Sequence, residues 1–370
     1  MAGRTGPVES LGVTDSFWHG RRVLVTGHTG FKGGWLTLWL QHLGAQVHGI
    51  SLAPPTDPSF FDAIRWSDAV SDNRIDIRDA RAVHDALKAA RPSVVFHLAA
   101  QPLVRESYKD PAGTFATNVI GTVHVLDAAR ECPDVRGIVN VTSDKCYEND
   151  ESGTEYTELD RLGGSDPYSC SKACAELVST SYRRSFLTVG DAPRLASARA
   201  GNVYGGGDWA VDRVVPDCIR AFMRGENVVL RHPEATRPWQ HVLDALRGYL
   251  LLAERLVKDP AAFGSAFNFG PPPGPAASVG ELVAGVAARW GDGASWHVAG
   301  GTHPHEARML RLDSSKARRT LGWSPLIPLA EGLDLTIDWY REFVRGGGDM
   351  TSTSLAQIRH VESRVPASQS

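Results

Sequence analysis

Two side chains that can move a proton stand four residues apart in the segment Tyr168-Ser169-Cys170-Ser171-Lys172. On a helix they share one face, and Asp166-Pro167 directly upstream are typical of a helix start. A phenol with a pKa near ~10 is a weak base at neutral pH, but a neighbouring ammonium group stabilises the phenolate and lowers that pKa. The pair therefore predicts a base that takes a hydroxyl proton while hydride leaves the same carbon. The spacing alone is also common in proteins without this chemistry.

A second set of reactive side chains is the tripeptide Ser143-Asp144-Lys145, which follows the predicted strand Gly137–Thr142. Open parallel sheets bind ligands at the carboxyl ends of their strands. Ser143 can hydrogen-bond a substrate hydroxyl or the phenol, whereas Asp144 and Lys145 supply an acid and a potential base. Oxidation of an alcohol needs neither, but elimination of water needs one group to remove a proton from carbon and another to protonate the leaving hydroxyl. The alternative is a surface ion pair in a loop.

A glycine-rich loop, Gly27-His28-Thr29-Gly30-Phe31-Lys32-Gly33, lies between an apolar run and a helix-like segment. Glycines at this spacing permit a tight turn and let a pyrophosphate approach main-chain amides at the positive end of a helix. The acidic residue that usually binds an adenosine ribose is missing from Ser51-Leu52-Ala53, and no arginine replaces it there, so the sequence favours NAD over NADP. The residues predicted to contact NAD are Gly27, Thr29, Gly30, Phe31, Lys32 and Gly33.

Two later segments are further candidates for contacts with the dinucleotide. Asp76-Ile77 follows the predicted third strand, which lies between the strands Gln46–Leu52 and Ser93–Leu98. At that position it would flank the adenine. Leu98-Ala99-Ala100-Gln101 ends the predicted fourth strand, and its small side chains would let the cofactor approach the backbone. The alternative for both segments is that small residues pack beneath a helix. Tyr168 and Lys172 would complete the cofactor site.

The elements that must position these residues alternate between strands and helices. Apolar runs that end in glycine or polar residues predict buried parallel strands, and such alternation implies right-handed crossovers. The predicted strands are Val23–Thr26, Gln46–Leu52, Ser93–Leu98, Gly137–Thr142 and Leu195–Ala198, and helices are predicted near Ala80–Ala90, Ala112–Arg130 and Tyr168–Phe186. The expected fold is a doubly wound parallel α/β Rossmann sheet with a smaller C-terminal substrate-binding lobe.

The alternation of strands and helices, and the points where it ends, divide the chain into four predicted parts. Residues 1–19 form an arm anchored by Phe17 and Trp18, and residues 20–202 form the NAD-binding domain, to which the chain returns around 238–270. Residues 203–348, rich in glycine and proline, form the substrate-binding lobe. Residues 349–370 are predicted to be a flexible tail because they are rich in Ser, Thr and Gln.

Composition excludes several classes of protein. The 370 residues are 42% hydrophobic and 22% charged with a formal charge of −3, so global disorder and a broad basic face for nucleic acid are not expected. No apolar run reaches the roughly 18–20 residues of a membrane span, and the N-terminal residues lack the apolar core of a secretory signal. The five cysteines form an odd set without metal-ligand spacing. We therefore predict no metal site and a cytoplasmic, reducing location.

The motifs GHTGFKGGW, TSDKCYEN, DPYSCSK, RAGNVYGGGDW, RPWQHV and HPHEA occur in this order, and together they resemble the extended short-chain dehydrogenase/reductases. The resemblance, which covers about residues 17–345, is to the NAD-dependent sugar-nucleotide epimerases and dehydratases. It implies a homodimer formed by the helices near Ala112–Arg130 and Tyr168–Phe186. It also implies a supporting role for Asn118, a catalytic set of Ser143, Asp144, Lys145, Tyr168 and Lys172, and a substrate-binding set of Asn202, Arg237, His305 and Glu306.

Within this family the SDK tripeptide favours the 4,6-dehydratases and CDP-glucose as the nucleotide-hexose substrate. The implied reaction oxidises C4 transiently, eliminates water across C5 and C6 and returns the hydride to C6. In it Asp144 protonates the leaving hydroxyl, and Lys145 either removes the C5 proton or stabilises the enolate. No motif in the sequence itself indicates recognition of cytidine, so another nucleotide-hexose is an alternative substrate. The alternatives are a nucleotide-sugar 4-epimerase or a plain 4-dehydrogenase, which need no acid–base pair, and a catalytically silent NAD-binding or scaffolding protein.

Overall fold

The computed structural model describes residues 13, 15–150, 153–187, 192–272, 274, 276–299, 310–346 and 349–365. Thirteen strands occur in this part of the chain: β1 Arg22–Thr26, β2 Gln46–Ser51, β3 Val70–Arg74, β4 Val94–His97, β5 Gly137–Val141, β6 Glu155–Tyr156, β7 Arg194–Ala200, β8 Val203–Tyr204, β9 Val228–Leu230, β10 Gln240–His241, β11 Ala266–Phe269, β12 Trp296–Val298 and β13 Arg311–Leu312.

The same described residues contain thirteen α-helices: α1 Asp15–Trp18, α2 Phe31–His42, α3 Ala80–Ala90, α4 Val104–Lys109, α5 Pro111–Phe115, α6 Gly121–Glu131, α7 Pro167–Ser185, α8 Val214–Met223, α9 Val242–Lys258, α10 Pro260–Phe263, α11 Val279–Trp290, α12 Leu329–Gly346 and α13 Thr351–Glu362. None of these helices is long and apolar enough to cross a lipid bilayer.

Seven strands form one parallel sheet in the order β11-β7-β5-β4-β1-β2-β3. Val23 of β1 is in register with Val47 of β2 on one side and with Val94 of β4 on the other. The chain runs outward from β1 to β3 and then crosses to β4, so the order reverses beside β1, where such sheets bind their ligands. The predicted doubly wound Rossmann sheet is confirmed.

Helices cover both faces of this sheet. All five residues of β5 are buried, as expected for a central strand enclosed on both sides. On one face α2 inserts Trp35 and Trp39, both fully buried. On the other face α3 contributes the buried Val83 and Leu87. Two apolar layers therefore hold the sheet rigid beneath the ends of its strands.

The region after residue 202 contains helices and short strands in three two-stranded sheets, one of which includes β6 from earlier in the chain. β8 pairs with β10, β9 with β12, and β6 with β13, each in parallel. Between them the chain returns to the main sheet, because α9 packs against it and β11 pairs with β7. A capping box of Ser278 and Glu281 starts α11, which packs on α8 and α12.

Most predicted elements differ from the structure by one residue at an end, and two differ by more. The helix predicted over Ala112–Arg130 is divided by a π-helical turn at Ala116–Ile120, between α5 and α6. The strand predicted at Leu195–Ala198 extends to Arg194–Ala200, because β11 pairs along its outer edge. A sequence pattern marks the apolar centre of an element better than its ends.

The two ends of the chain are more ordered than their composition suggests. Asp15–Trp18 form α1, in which Trp18 is fully buried and Phe17 nearly so, and both pack in the core, whereas residues 1–12 and 14 of the predicted arm lie outside the described residues. The prediction of a flexible tail is wrong for residues 351–362, which form α13. Ile358 and Val361 are fully buried against the core, and this apolar contact outweighs the polar composition of the segment.

Candidate active site

A cleft of about 1690 Å³ opens at the carboxyl edge of the sheet and extends into the C-terminal region. It is large enough for more than one ligand of drug size. Every predicted site residue that the structure describes lines this one cleft: Gly27, Thr29, Gly30, Phe31, Lys32, Gly33, Asp76, Ile77, Leu98, Ala99, Ala100, Gln101, Ser143, Asp144, Lys145, Tyr168, Lys172, Asn202 and Arg237. His305 and Glu306 lie outside the described residues.

The glycine loop forms a cradle that side chains would fill. Gly27 has φ of +77°, and a Cβ there would lie 2.8 Å from the main-chain nitrogen of Ala99. A Cβ at Gly33 would lie 2.0 Å from the carbonyl oxygen of Gly27, so only glycine lets α2 begin this close to the loop. Gly30 occupies the N-cap of α2 without a side-chain cap, which leaves first-turn amides for an anionic ligand. The residues present therefore fit the pyrophosphate of a dinucleotide.

The wall opposite the loop is held by a buried polar chain. Thr26 Oγ1 lies 2.7 Å from His97 Nδ1 and accepts hydrogen bonds from the amides of Leu98 and Ala99 at 3.1 and 3.0 Å. His97 Nε2 lies 3.0 Å from Thr122 Oγ1. Complete burial lowers the pKa of His97 to about 3, so its imidazole is neutral. This chain fixes the backbone that faces Gly27, and the sequence interpretation did not include it.

The region expected to hold the adenosine ribose has no carboxylate on the end of β2. Instead, Thr29 Oγ1 lies 2.7 Å from Ser51 Oγ and 3.0 Å from the carbonyl oxygen of Leu52. Arg74, at the end of β3, donates to the same carbonyl at 2.8 Å. The sequence indicated no arginine in the segment after β2, but register places Arg74 beside Ser51. A pattern confined to one strand cannot reveal a neighbour brought by the next strand.

Asp76 and Arg78 line the part of the cleft that is predicted to hold the adenine. Arg78 Nη2 is 2.6 Å from Asp76 Oδ2, and this hydrogen bond is the main cause that lowers the pKa of Asp76. Asp79 then caps α3 by accepting a hydrogen bond from the amide of Ala82. The Asp76 carboxylate is therefore ionised and held by a guanidinium at the rim of the cleft.

The first turns of α7 carry Tyr168 and Lys172, the pair that is predicted to be catalytic. Asp166 caps this helix by accepting a hydrogen bond from the Ser169 amide at 2.9 Å. Tyr168 and Lys172 are both buried in the cleft wall. Burial raises the pKa of Tyr168 to about 12, while a hydrogen bond with the Ser143 hydroxyl opposes that rise. Burial lowers the pKa of Lys172 to about 8, and the Glu176 carboxylate opposes that fall.

Asn118 connects the cofactor wall with the catalytic helix. Its Oδ1 accepts from the Gln101 amide at 2.8 Å, and its Nδ2 donates to the Gln101 carbonyl at 3.1 Å. The same Nδ2 donates to Ser171 Oγ at 2.8 Å, inside the segment between Tyr168 and Lys172. Asn118 sits in the π-helical turn, which directs its side chain into this junction. The supporting role that the resemblance implies for Asn118 agrees with these contacts.

The tripeptide after β5 forms a 3-10 turn at the centre of the cleft. Ser143 Oγ donates to Asp144 Oδ1 at 2.9 Å and accepts from the Lys145 amide at 3.2 Å. Lys145 Nζ lies 3.5 Å from the same oxygen of Asp144. Asp144 is almost fully buried, and its Oδ2 has no partner among the described residues. Asp144 lines the cleft and keeps one oxygen unused, so its carboxyl group is available for a hydrogen bond with a ligand.

The opposite wall supplies groups that can bind phosphates. Asn202 Oδ1 is buried without a partner in the described structure, and Arg237 follows from the C-terminal region. Arg213 and Lys32 also line the cleft. Burial, with repulsion from Arg213 and Lys172, lowers the pKa of Lys32 to about 7. A diphosphate bound here would neutralise this concentration of positive charge. The sequence interpretation missed Arg213, since no motif distinguishes it from a surface arginine.

The sequence profile of the NAD dependent epimerase/dehydratase family matches residues 23–270, which include the glycine loop, the tripeptide and the Tyr–Lys pair. The chain belongs to this family. It is 47% identical over 350 residues to a CDP-glucose 4,6-dehydratase of Salmonella typhimurium, a match that covers 94% of this chain and 97% of the relative. It is 32% identical over 331 residues to a dTDP-glucose 4,6-dehydratase of Streptomyces antibioticus, covering 86% and 92% of the two chains.

Solved structures agree with this assignment. The Thermus thermophilus UDP-glucose 4-epimerase in complex with NAD has a TM-score of 0.75 at 26% identity, with 86% of this chain and 99% of that chain covered. DesIV, a dTDP-glucose 4,6-dehydratase from Streptomyces venezuelae with NAD and TYD bound, has a TM-score of 0.73 at 26% identity, covering 89% and 99%. The predictions of the family, the fold and NAD as cofactor are confirmed, while the role of each site residue stays a prediction.

Proposed function

We propose that this protein is an NAD-dependent 4,6-dehydratase that converts CDP-glucose to CDP-4-keto-6-deoxyglucose. The observation that carries the proposal is the buried Asp144 beside Lys145, in the same cleft as Tyr168 and Lys172. A 4-epimerase needs the oxidising pair alone, whereas loss of water also needs an acid and a group that acts at C5. The 47% identity to a CDP-glucose 4,6-dehydratase supports both the reaction and the choice of nucleotide.

Oxidation at C4 is the role proposed for α7. When bound, NAD would accept hydride from C4 and later supply it to C6, so that it is regenerated in each turnover. Tyr168 takes the proton of the C4 hydroxyl, and Lys172 lowers the pKa of the phenol toward neutrality when it carries its charge. Because burial opposes the charge on both groups, the cleft must supply compensating charge nearby.

Elimination is the role proposed for the tripeptide. A 4-ketone acidifies the proton on C5, so the oxidation prepares the loss of the C6 hydroxyl. One proton moved from Lys145 to Asp144 across their 3.5 Å contact would produce both the neutral base and the protonated acid that this step requires. Lys145 then removes the C5 proton while Asp144 protonates the leaving hydroxyl as water. If Lys145 instead keeps its charge, it stabilises the enolate.

The protons balance over the cycle. Lys145 returns its proton to C5 when hydride reaches C6, while Asp144 has lost one proton to the water that departs. Tyr168 has gained one proton from the C4 hydroxyl. Restoring the initial protonation state of both side chains therefore requires the net transfer of one proton from Tyr168 to Asp144. Ser143 is placed to support that transfer, because it hydrogen-bonds the Asp144 carboxylate at 2.9 Å and the phenol of Tyr168.

The function can be tested with the purified protein and CDP-, dTDP-, UDP- and GDP-glucose, each with and without added NAD. We expect the CDP sugar to react fastest and its product to weigh one water less, without net formation of reduced cofactor. A product of unchanged mass would indicate an epimerase and contradict the proposal. Accumulation of reduced cofactor in proportion to product would indicate a plain dehydrogenase. Faster dehydration of a hexose that carries another nucleotide would support the proposed reaction and contradict the choice of CDP-glucose as substrate.

We further propose that the protein is a homodimer in which the segment Pro111–Glu131 and helix α7 meet their counterparts. Ile120, Leu177 and Phe186 on these segments are among the large apolar side chains exposed on the single chain. Burial of such a surface against a second copy would remove it from water. Light scattering that gives twice the chain mass of 40.0 kDa would support the proposal, and a monomer at micromolar concentration would reject it. The cytoplasmic location stays a prediction.

A further inference from the structure

A buried ion pair lies behind the catalytic cleft. Arg199 of β7 and Glu176 of α7 are almost inaccessible to solvent, and Arg199 Nη2 lies 2.8 Å from Glu176 Oε2. Removing two charges from water is expensive, and an apolar pair of similar size often gives equal stability. Arg199 is the first residue of the motif RAGNVYGGGDW, but the sequence assigned no role to either residue of the pair. Its hydrogen-bond partners suggest what it contributes.

Glu176 holds the upstream end of the tripeptide. Thr142 Oγ1 donates to Glu176 Oε1 at 2.6 Å, and both groups are buried. Thr142 directly precedes Ser143, and its amide also donates to the Ala198 carbonyl of β7 at 3.0 Å. The last residue before the reactive turn is therefore fixed both to the neighbouring strand and to the helix that carries Tyr168.

Arg199 fixes the downstream end of the tripeptide Ser143-Asp144-Lys145. Its Nη1 donates to Tyr147 Oη at 2.8 Å, and its guanidinium lies 5.0 Å from the centre of the same ring. Tyr147 Oη in turn donates to Asn268 Oδ1 of β11 at 2.6 Å. Tyr147 follows Lys145 by two residues, so one ion pair fixes the backbone on both sides of Ser143-Asp144-Lys145.

Glu176 also acts on the charge of the catalytic lysine. It stands one helical turn after Lys172, whose pKa burial lowers, and the Glu176 carboxylate raises it again. Cys146 of the reactive turn also raises that pKa. Two basic groups face Lys172 from other elements, namely Lys32 of α2 and the neutral His97 of β4. Glu176 thus places a carboxylate one helical turn from Lys172, where its negative charge favours the ammonium form.

We propose that the Glu176–Arg199 pair is a positioning device that holds the elimination turn in register with the oxidising helix and places a carboxylate one helical turn from Lys172. Neither residue touches the substrate, and the pair acts through Thr142, Tyr147 and Lys172. The inference rests on the proposed two-stage chemistry. It predicts two separable effects. The hydrogen bonds to Thr142 and Tyr147 affect elimination, whereas the charge of Glu176 near Lys172 affects the pH dependence of oxidation.

The first experiment removes only the upstream hydrogen bond, with T142V. Single-turnover kinetics would follow oxidation by the absorbance of reduced nicotinamide and elimination by solvent-deuterium exchange at C5. We expect elimination to slow by about 10- to 100-fold, while oxidation and its pH dependence stay within about threefold of the wild type. The control is S179A, which removes the 2.8 Å hydrogen bond between Asn140 and Ser179 that joins the same strand and helix. We expect S179A to leave both rates unchanged.

The second experiment removes the charge, with E176Q. Without the carboxylate Lys172 loses its proton at lower pH, so the alkaline limb of the oxidation rate is expected to move down by about one pH unit. E176Q leaves Arg199 buried without its partner and can fail to fold. In that case the double variant E176Q/R199M removes both charges and is expected to show the same direction of shift. E176D, which keeps the charge, is expected to restore the wild-type limb.

The outcomes separate the inference from the function on which it rests. Equal slowing of both steps by T142V and S179A would mean that the network acts only through general stability, and would overturn the proposal. An unchanged alkaline limb in folded E176Q or in the double variant would also overturn it. A wild-type enzyme that removes no water from any nucleotide-hexose would instead refute the proposed function.

Discussion

Asp144 Oδ1 lies 3.5 Å from Lys145 Nζ, with Asp144 almost fully buried and Lys145 partly exposed in the cleft. Two adjacent residues of opposite charge thus present two different environments to one ligand. The buried carboxylate is placed to give a proton to a leaving group, whereas the more accessible amine can act at the neighbouring carbon. This relationship is the basis of the first two predictions.

The variant D144N is expected to oxidise the sugar but not to dehydrate it. An amide cannot protonate the leaving hydroxyl, so release of water should fall by about 10²- to 10⁴-fold. Reduced cofactor should then persist on the enzyme during a single turnover with CDP-glucose. Mass spectrometry of the product measures the loss of water. Dehydration at the wild-type rate by D144N would contradict the role of Asp144 as the acid.

The variant K145M is expected to slow exchange of solvent deuterium into C5 by about 10²-fold or more, because both proposed roles of Lys145 act on that proton. Nuclear magnetic resonance of the recovered sugar measures the exchange. K145R distinguishes the two roles, since a guanidinium remains charged and can stabilise an enolate but cannot serve as the base. Exchange at the wild-type rate in K145M would exclude both roles.

The glycine cradle predicts graded effects of alanine on cofactor content. G33A puts a Cβ 2.0 Å from the Gly27 carbonyl oxygen, so the loop or the start of α2 must move. G30A puts a Cβ 3.4 Å from the same oxygen and is expected to disturb the loop less. We expect purified G33A to retain little NAD and G30A to retain more, with circular dichroism as the check on folding. Equal NAD content in G33A and the wild type would contradict the cradle.

Two buried histidines predict sensitivity to acid. Burial lowers the pKa of His97 and of His241 to about 3, against about 6.5 in an unfolded chain. The unfolded state therefore binds protons first, so stability is full above pH ~6.5 and falls as the pH drops toward ~3. Each histidine should reduce the free energy of unfolding by about 1.4 kcal/mol per pH unit in that window.

Urea denaturation between pH 7 and pH 5 measures this dependence. H97Q and H241Q are each expected to be less stable at pH 7 and to depend less steeply on pH than the wild type. H84Q, which removes a partly exposed imidazole, controls for the loss of a histidine. A wild-type slope that neither H97Q nor H241Q reduces would contradict the assignment.

The C-terminal helix predicts that the end of the chain contributes to stability. Trp39 Nε1 donates to Glu362 Oε1 at 2.7 Å, and Ile358 beside it is fully buried. I358A is expected to lower the free energy of unfolding by about 2–5 kcal/mol, because it opens a cavity in the core. R359A on the exposed face of α13 is the matched control and should change it by less than about 0.5 kcal/mol. Equal melting temperatures for I358A and the wild type would contradict the packing of α13.

The sequence was sufficient for features encoded in consecutive residues. The helix Ala80–Ala90 was predicted to its ends, because Asp79 provides a cap and apolar residues recur at helical spacing. The glycine loop and the pair Tyr168 and Lys172 were recognisable because each is complete within a few residues of one strand–loop–helix or helix. Composition misled the prediction of the tail, since α13 buries the polar Ser354 and Gln357 together with Ile358 and Val361 on the side that faces the core.

What the sequence determined by itself was therefore the local chemistry: a dinucleotide loop, an oxidising pair, an acid beside a lysine, and the alternation that demands a parallel sheet. Tertiary structure alone decided which distant residues surround them. Arg74 meets Leu52 because β3 pairs with β2, and Arg199 reaches both Glu176 and Tyr147 because β7 lies beside β5. Such contacts between distant residues depend on strand order and close packing, and the spacing of residues along the sequence does not specify them.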